Sequence, residues 1–215
     1  MKKNCTELVF ILDRSGSMQG LEKDTIGGFN AMLEKQRNGE GEVLVTTYLF
    51  DHNVDRIHDR LSIQEVLPMT AKEYSVGGCT ALLDAVGIAI RHIAGIHHYA
   101  RPEDVPEHTM FVITTDGIEN ASKRYSKAEV KRMVEHEKEK YGWEFIFLGA
   151  NIDAMETAAG FGIGADRAVS FHNDAEGIRT NYEAVSETLS AVRASKPVPV
   201  GWSRWIKEDF QSRKQ

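Results

Sequence analysis

Leu8-Val9-Phe10-Ile11-Leu12 runs without a polar break into Asp13-Arg14-Ser15-Gly16-Ser17. An apolar run of this length, followed by loop residues, predicts a strand covered on both faces, as in a parallel sheet. The Asp-x-Ser-x-Ser that follows gathers three oxygen-bearing side chains where that strand would leave the core. Two further segments end in the same way. Gly77-Gly78-Cys79-Thr80 leads into an apolar helical pattern, and Phe111-Val112-Ile113-Thr114-Thr115 runs into Asp116-Gly117. Asp13, Ser15, Ser17, Thr80 and Asp116 are five hard oxygen donors, a set suited to Mg²⁺ or Mn²⁺ rather than to zinc or copper.

Outward from the first run, Ile26, Phe29, Met32 and Leu33 recur at helical spacing until Asn38-Gly39. Val43 to Phe50 is rich in strand formers, Asp51-His52-Asn53 reads as a turn, and Val54 to His58 as a short antiparallel edge strand. Ala81 to Ile96 is apolar on nearly every side, which predicts an interior helix, with Gly87 permitting close packing. Met110 to Thr115 predicts a central parallel strand. Ser126 and Glu129 form a capping box for a helix carrying Val130, Met133, Val134 and Glu137, and Gly142 closes it before a strand over Trp143 to Leu148. Asp153 to Glu156 opens a short helix that Gly160 ends, and Ala168 to Phe171 is the last strand. Ile178, Tyr182, Val185, Leu189 and Val192 then form one stripe of a final helix. The alternation predicts an α/β fold: a doubly wound, mostly parallel sheet with one antiparallel edge strand and helices on both faces.

At 215 residues the chain suffices for one sizeable core. We expect one domain over 1–193 and a C-terminal tail over 194–215 that begins at Lys196-Pro197-Val198-Pro199. In that tail Trp202, Trp205, Ile206 and Phe210 fall on one helical face, which predicts packing back on the parent domain, with docking to a partner or self-association with a second copy as the alternative. The 32 acidic and 26 basic residues give a formal charge of −6, which repels phosphate backbones and makes nucleic acid a poor partner. The first apolar run is too short and unflanked for a signal peptide or membrane span. Cys5 and Cys79 lie far apart without CxxC spacing, as suits a reducing compartment, so a cytoplasmic location is expected.

Each fragment of the donor set has an ordinary explanation, since Asp and Ser cap helices and Asp-Gly makes turns. Their joint occurrence in chain order, each at a strand-to-helix junction, points instead to a metal site, because ligands of doubly wound sheets collect beyond the carboxyl ends of the strands. These motifs resemble the von Willebrand factor type A (VWA) domain. Its metal-ion-dependent adhesion site combines DxSxS on the first loop, a Thr after a GG-containing loop, and an Asp in a TDG-like turn. Here these stand as Asp13-Arg14-Ser15-Gly16-Ser17, Gly77-Gly78-Cys79-Thr80 and Thr115-Asp116-Gly117, within a likeness over residues 5–193, and the small stand-alone bacterial members are the nearest in kind. The resemblance implies a Rossmann-like fold in which Ser15, Ser17 and Thr80 contact Mg²⁺ directly. Asp13 and Asp116 then act largely through coordinated water and by orienting the hydroxyls. It also implies a protein-binding module rather than an enzyme, with an Asp or Glu of an unidentified partner as the sixth ligand.

Two rivals are a metal-dependent hydrolase or phosphotransferase and, again by resemblance, an accessory subunit of an AAA+ ATPase or chelatase-like complex. A nucleophilic DxD, a Walker loop and an evident general base are all missing for the first. Asp84 is a candidate brace for the helix start that presents Thr80, or a capping residue. Glu119 and Asn120 are expected on the same rim, where they would tune the partner carboxylate accepted. Gly160-Phe161-Gly162-Ile163-Gly164 follows a helix, the wrong context for a dinucleotide loop. His92, His97 and His98 lack a metal-ligand spacing and read as solvated residues at a helix end. Asp51-His52 reads as a turn without a nucleophile beside it.

Overall fold

The computed structural model describes residues 1–213. Six strands form one sheet in the order β3-β2-β1-β4-β5-β6: β1 (Lys2–Asp13), β2 (Glu42–Phe50), β3 (Val54–Ser62), β4 (Pro106–Thr115), β5 (Glu144–Ala150) and β6 (Ala168–Phe171). Every pairing is parallel except β2 with β3 at the edge. Six helices connect or flank them: α1 (Glu22–Arg37), α2 (Leu82–Tyr99), α3 (Lys127–Tyr141), α4 (Ala154–Gly160), α5 (Ala175–Arg193) and α6 (Arg204–Ser212).

The apolar run of β1 is buried on both sides because successive strand residues point to opposite faces. Leu8, Phe10 and Leu12 join Phe29, Met32 and Leu33 of α1 and Ile178, Val185 and Leu189 of α5. Val9 and Ile11 join Leu82, Val86 and Ile90 of α2, Val130 and Val134 of α3, and Ala154 and Ala158 of α4. The Tyr125 ring lies so close over Gly87 of α2 that a Cβ there would meet it at 2.5 Å. At α3 both halves of the capping box form, and Gly142 takes the left-handed conformation that ends the helix.

Three expectations change. The return strand β3 runs on to Ser62, because register irregularities on either side of Thr47 and a positive φ of 49° at Arg60 let the edge keep pairing past His58. The tail helix begins only at Arg204, so Trp202 lies before it rather than on its face. Trp202 and Ile206 pack into the α1–α5 side of the core and the Trp202 indole N–H donates to the Asp166 carbonyl at 2.8 Å, whereas Trp205 is 41% exposed. His97 is not a solvated helix-end residue: its Nε2 lies 3.3 Å from the fully buried Glu7 carboxylate, which also accepts from Arg60 Nε at 2.8 Å. His98 alone of the three histidines is exposed. Among the described residues no helix is long and apolar enough to cross a membrane.

Candidate metal centre

The register of the parallel sheet creates the site. Leu12 of β1 is level with Thr114 of β4, so Asp13 and Thr115-Asp116 emerge side by side at the carboxyl edge. Asp13 is 2% exposed and spends both oxygens there. Oδ1 accepts from the Ser15 N–H at 2.7 Å, and Oδ2 accepts from the Thr115 hydroxyl at 2.6 Å and, more loosely, from the Asp116 N–H at 3.4 Å. Ser15 Oγ lies 3.1 Å from Ser17 Oγ, and the Ser17 hydroxyl donates to Asp116 Oδ1 at 2.5 Å. Four of the five predicted donors are thus one hydrogen-bonded chain.

Thr80 completes the group from the opposite loop. A Cβ built on Gly117 would meet Thr80 Oγ1 at 3.0 Å and Ser17 Oγ at 3.6 Å, so both hydroxyls face the small space that this glycine leaves open. Gly78, at a φ of 77°, turns the Thr80 loop in a conformation that favours glycine, and its carbonyl accepts from the Gly16 N–H at 3.1 Å.

Burial raises the Asp13 carboxyl above the ordinary carboxylate range, against the pull of Ser15 and Thr115. Burial pushes Asp116 up to about 6, with the Asp13 charge adding to the shift. Neither acid is ion-paired with a basic residue among those described. Arg14 turns away, placing Nε 3.1 Å from Asp51 and its terminal nitrogen on Asp55. Two buried acids, three hydroxyls and no neutralising base form a donor set that fits a divalent cation. Among the described residues no three His, Cys, Asp or Glu are placed to hold a metal, so any such centre depends on its hydroxyls.

Asp84, Glu119 and Asn120 have structural tasks that the sequence left open. Asp84 accepts from the backbone N–H groups of Lys123, Arg124 and Tyr125 at 2.9, 2.8 and 3.0 Å, tying the segment after Asp116 to the first turn of α2. Glu119 accepts from the Leu83 N–H at 2.8 Å and so caps α2 from outside, while Asn120 exchanges two hydrogen bonds with the Thr80 backbone at 2.9 and 3.0 Å. These bonds give both residues a locking role: Glu119 Oε2 reaches α2, and Asn120 engages Thr80 through its side-chain Oδ1 and its own backbone N–H, so the Thr80 and Asp116 loops are joined. Asp51-His52-Asn53 is a turn, closed by the Asn53 N–H on Asp51 Oδ1 at 2.6 Å.

Three contributors escaped the sequence reading. Arg14 occupies a variable position of its motif, Tyr74 donates its hydroxyl to the Asp13 carbonyl at 2.5 Å, and Asn173 donates from Nδ2 to Asp116 Oδ2 at 2.7 Å. The position of Asn173, directly beyond β6 on the same edge, was the one available signal.

Solved structures share this architecture. A von Willebrand factor type A protein from Catenulispora acidiphila matches with a TM-score of 0.59 at 14% identity, over 86% of this chain and 43% of its own. The chain has the von Willebrand factor type A fold. Proximal thread matrix protein 1 from the mussel byssus, solved with a zinc-occupied MIDAS motif, matches at 0.58 and 13% identity over 86% of this chain and 46% of its own. The conserved hypothetical protein BatB from Bacteroides thetaiotaomicron matches at 0.53 and 13% identity, over 89% of this chain and 100% of its own. This chain therefore spans less than half the length of the mussel and Catenulispora chains. No protein-family model matches the sequence, and no curated protein matches it either. At such identities the likeness carries the VWA fold, and the reading of the site rests on its own geometry.

Proposed function

We propose that this chain is a Mg²⁺-dependent protein-interaction module that binds an acidic residue of a partner at the Asp13–Asp116 edge. The observation that supports it is the convergence of two buried, unneutralised carboxylates with the hydroxyls of Ser15, Ser17 and Thr80 on one small space. Ser15, Ser17 and Thr80 would hold the ion directly, and Asp13 and Asp116 would orient those hydroxyls and balance its charge. Mg²⁺ held mostly by neutral oxygens supplies an electrophilic centre with a position open to an external carboxylate.

The protein's own part is preorganisation. Asp13 and Thr115 fix the back of the site, Glu119 and Asn120 hold its two loops together, and Ser17 stands exposed at its mouth. Ile118 is 72% exposed beside Asp116-Gly117, so an apolar side chain next to the partner's acid would find a contact there. Such a site recognises a partner and turns nothing over, and it works in the cytoplasm.

Titration calorimetry with Mg²⁺ and Mn²⁺ tests the ion directly, with uptake expected in the wild type and lost in Asp13→Ala. A pull-down from cytosol with Mg²⁺, with EDTA and with Thr80→Ala then tests recognition. Partners kept under all three conditions would show that they dock elsewhere.

A further inference from the structure

The tail helix α6 lies outside the strand–helix alternation, yet it and the residue that follows it touch the turn beyond β6, next to the candidate metal centre. Arg213, directly after α6, forms an ion pair with Asp174 and another with Asp209 of that helix. His172 Nε2 lies 3.1 Å from the Phe210 carbonyl, which can only accept, so the imidazole donates, and the two rings lie 4.6 Å apart. Both contacts fall on the turn that joins β6 to α5. Between His172 and Asp174 stands Asn173, whose amide donates to Asp116 Oδ2 at 2.7 Å. The amide cannot be reversed, since its oxygen would then face a carboxylate oxygen.

The turn has no slack of its own. Asp174 caps α5 by accepting from the Gly177 N–H at 2.8 Å, and a Cβ on Gly177 would meet the His172 carbonyl at 2.0 Å. A chain wound this tightly moves as a unit, so a force on Asp174 or His172 is felt at Asn173.

We infer that Asn173 is a positioning residue for Asp116 and that α6, through Arg213 and His172, holds it in place, so that the tail sets the affinity of the metal centre. This rests on the reading of the Asp13–Asp116 edge as that centre. Asn173 occupies one oxygen of Asp116 and leaves the other to Ser17. Without the amide the carboxylate keeps only the Ser17 bond, and the Ser17 hydroxyl loses an acceptor fixed from its far side.

The test uses the full chain and Mn²⁺ as the probe. Asn173→Ala weakens Mn²⁺ binding by ~10-fold or more, the scale found when a group that orients a metal ligand is removed. Arg213→Ala weakens it by a smaller factor, on the order of 3-fold, and adds nothing in the Asn173→Ala background. Melting temperatures in EDTA separate this from a merely structural role, which would lower stability and leave affinity unchanged. Hydrogen exchange over residues 116–120 in EDTA needs no ion, and it accelerates in both single variants. A wild type that takes up no Mn²⁺ refutes the metal centre. Unchanged exchange in both variants, or affinity losses that multiply in the double variant, refutes the coupling through the tail.

Discussion

Asp84→Ala removes the clasp between α2 and the segment that follows Asp116. The side chain is 8% exposed, and its two oxygens accept three backbone N–H groups, from Lys123, Arg124 and Tyr125. Hydrogen bonds to a charged group contribute ~1.5–3 kcal/mol each. Lys123 and Arg124 are exposed, so water replaces much of what two of the three N–H groups lose, whereas Tyr125 is half-buried over Gly87. The net loss is then ~3 kcal/mol, one bond nearly in full and two in part. In a chain of 215 residues each kcal/mol lowers the melting temperature by ~2–4 °C, which gives a fall of ~6–12 °C. Circular dichroism melts in EDTA measure it without interference from bound ions. Asp84→Asn is an informative control. It keeps Oδ1, which serves Arg124 and Tyr125, and turns an amide toward the Lys123 N–H, so it should lose ~1–2 kcal/mol. An alanine variant melting within ~2 °C of the wild type would show that the three bonds are worth no more than their replacement by water.

Mg²⁺ at ~100 times its dissociation constant should stabilise the wild type by ~2.7 kcal/mol, seen as a raised melting temperature that is absent in Asp13→Ala. Arg14→Ala strands Asp51, whose side chain is 11% exposed, and should cost ~1–3 kcal/mol in urea unfolding; a loss under ~0.5 kcal/mol would place the anchor of the first loop elsewhere. His58 is buried against Thr47 Oγ1 at 3.0 Å, and burial lowers its pKa below the ordinary 6.5. The unfolded chain therefore takes up this proton before the folded one does. Its contribution to stability is complete above the unfolded pKa and is lost as pH falls through the folded value. The His58 contribution should decline below pH 6.5, whereas Asp116, pushed up to about 6, acts in the opposite sense, so the measure is the difference between the wild type and His58→Gln; parallel curves would remove His58 as a contributor.

The backbone layout was legible because it follows from short-range signals. Unbroken apolar runs at Leu8–Leu12 and Met110–Ile113 announce strands buried on both faces, and Ser126, Glu129, Gly142 and Asp153 act within a turn of their own positions. The gathering of Asp13, Ser15, Ser17, Thr80 and Asp116 was legible for a related reason. Parallel strands bring their carboxyl ends to one edge, so donors that each follow a strand or open a helix must meet there. What the sequence left undecided is which distant polar group each side chain finds. Arg14 on Asp51, Asp84 under residues 123–125, His97 against Glu7 and Asn173 on Asp116 join positions separated by 37 to 90 residues. A polar residue has the same local pattern whether it faces water or a buried partner. Only the packed structure, by removing the water, decides which contacts must form.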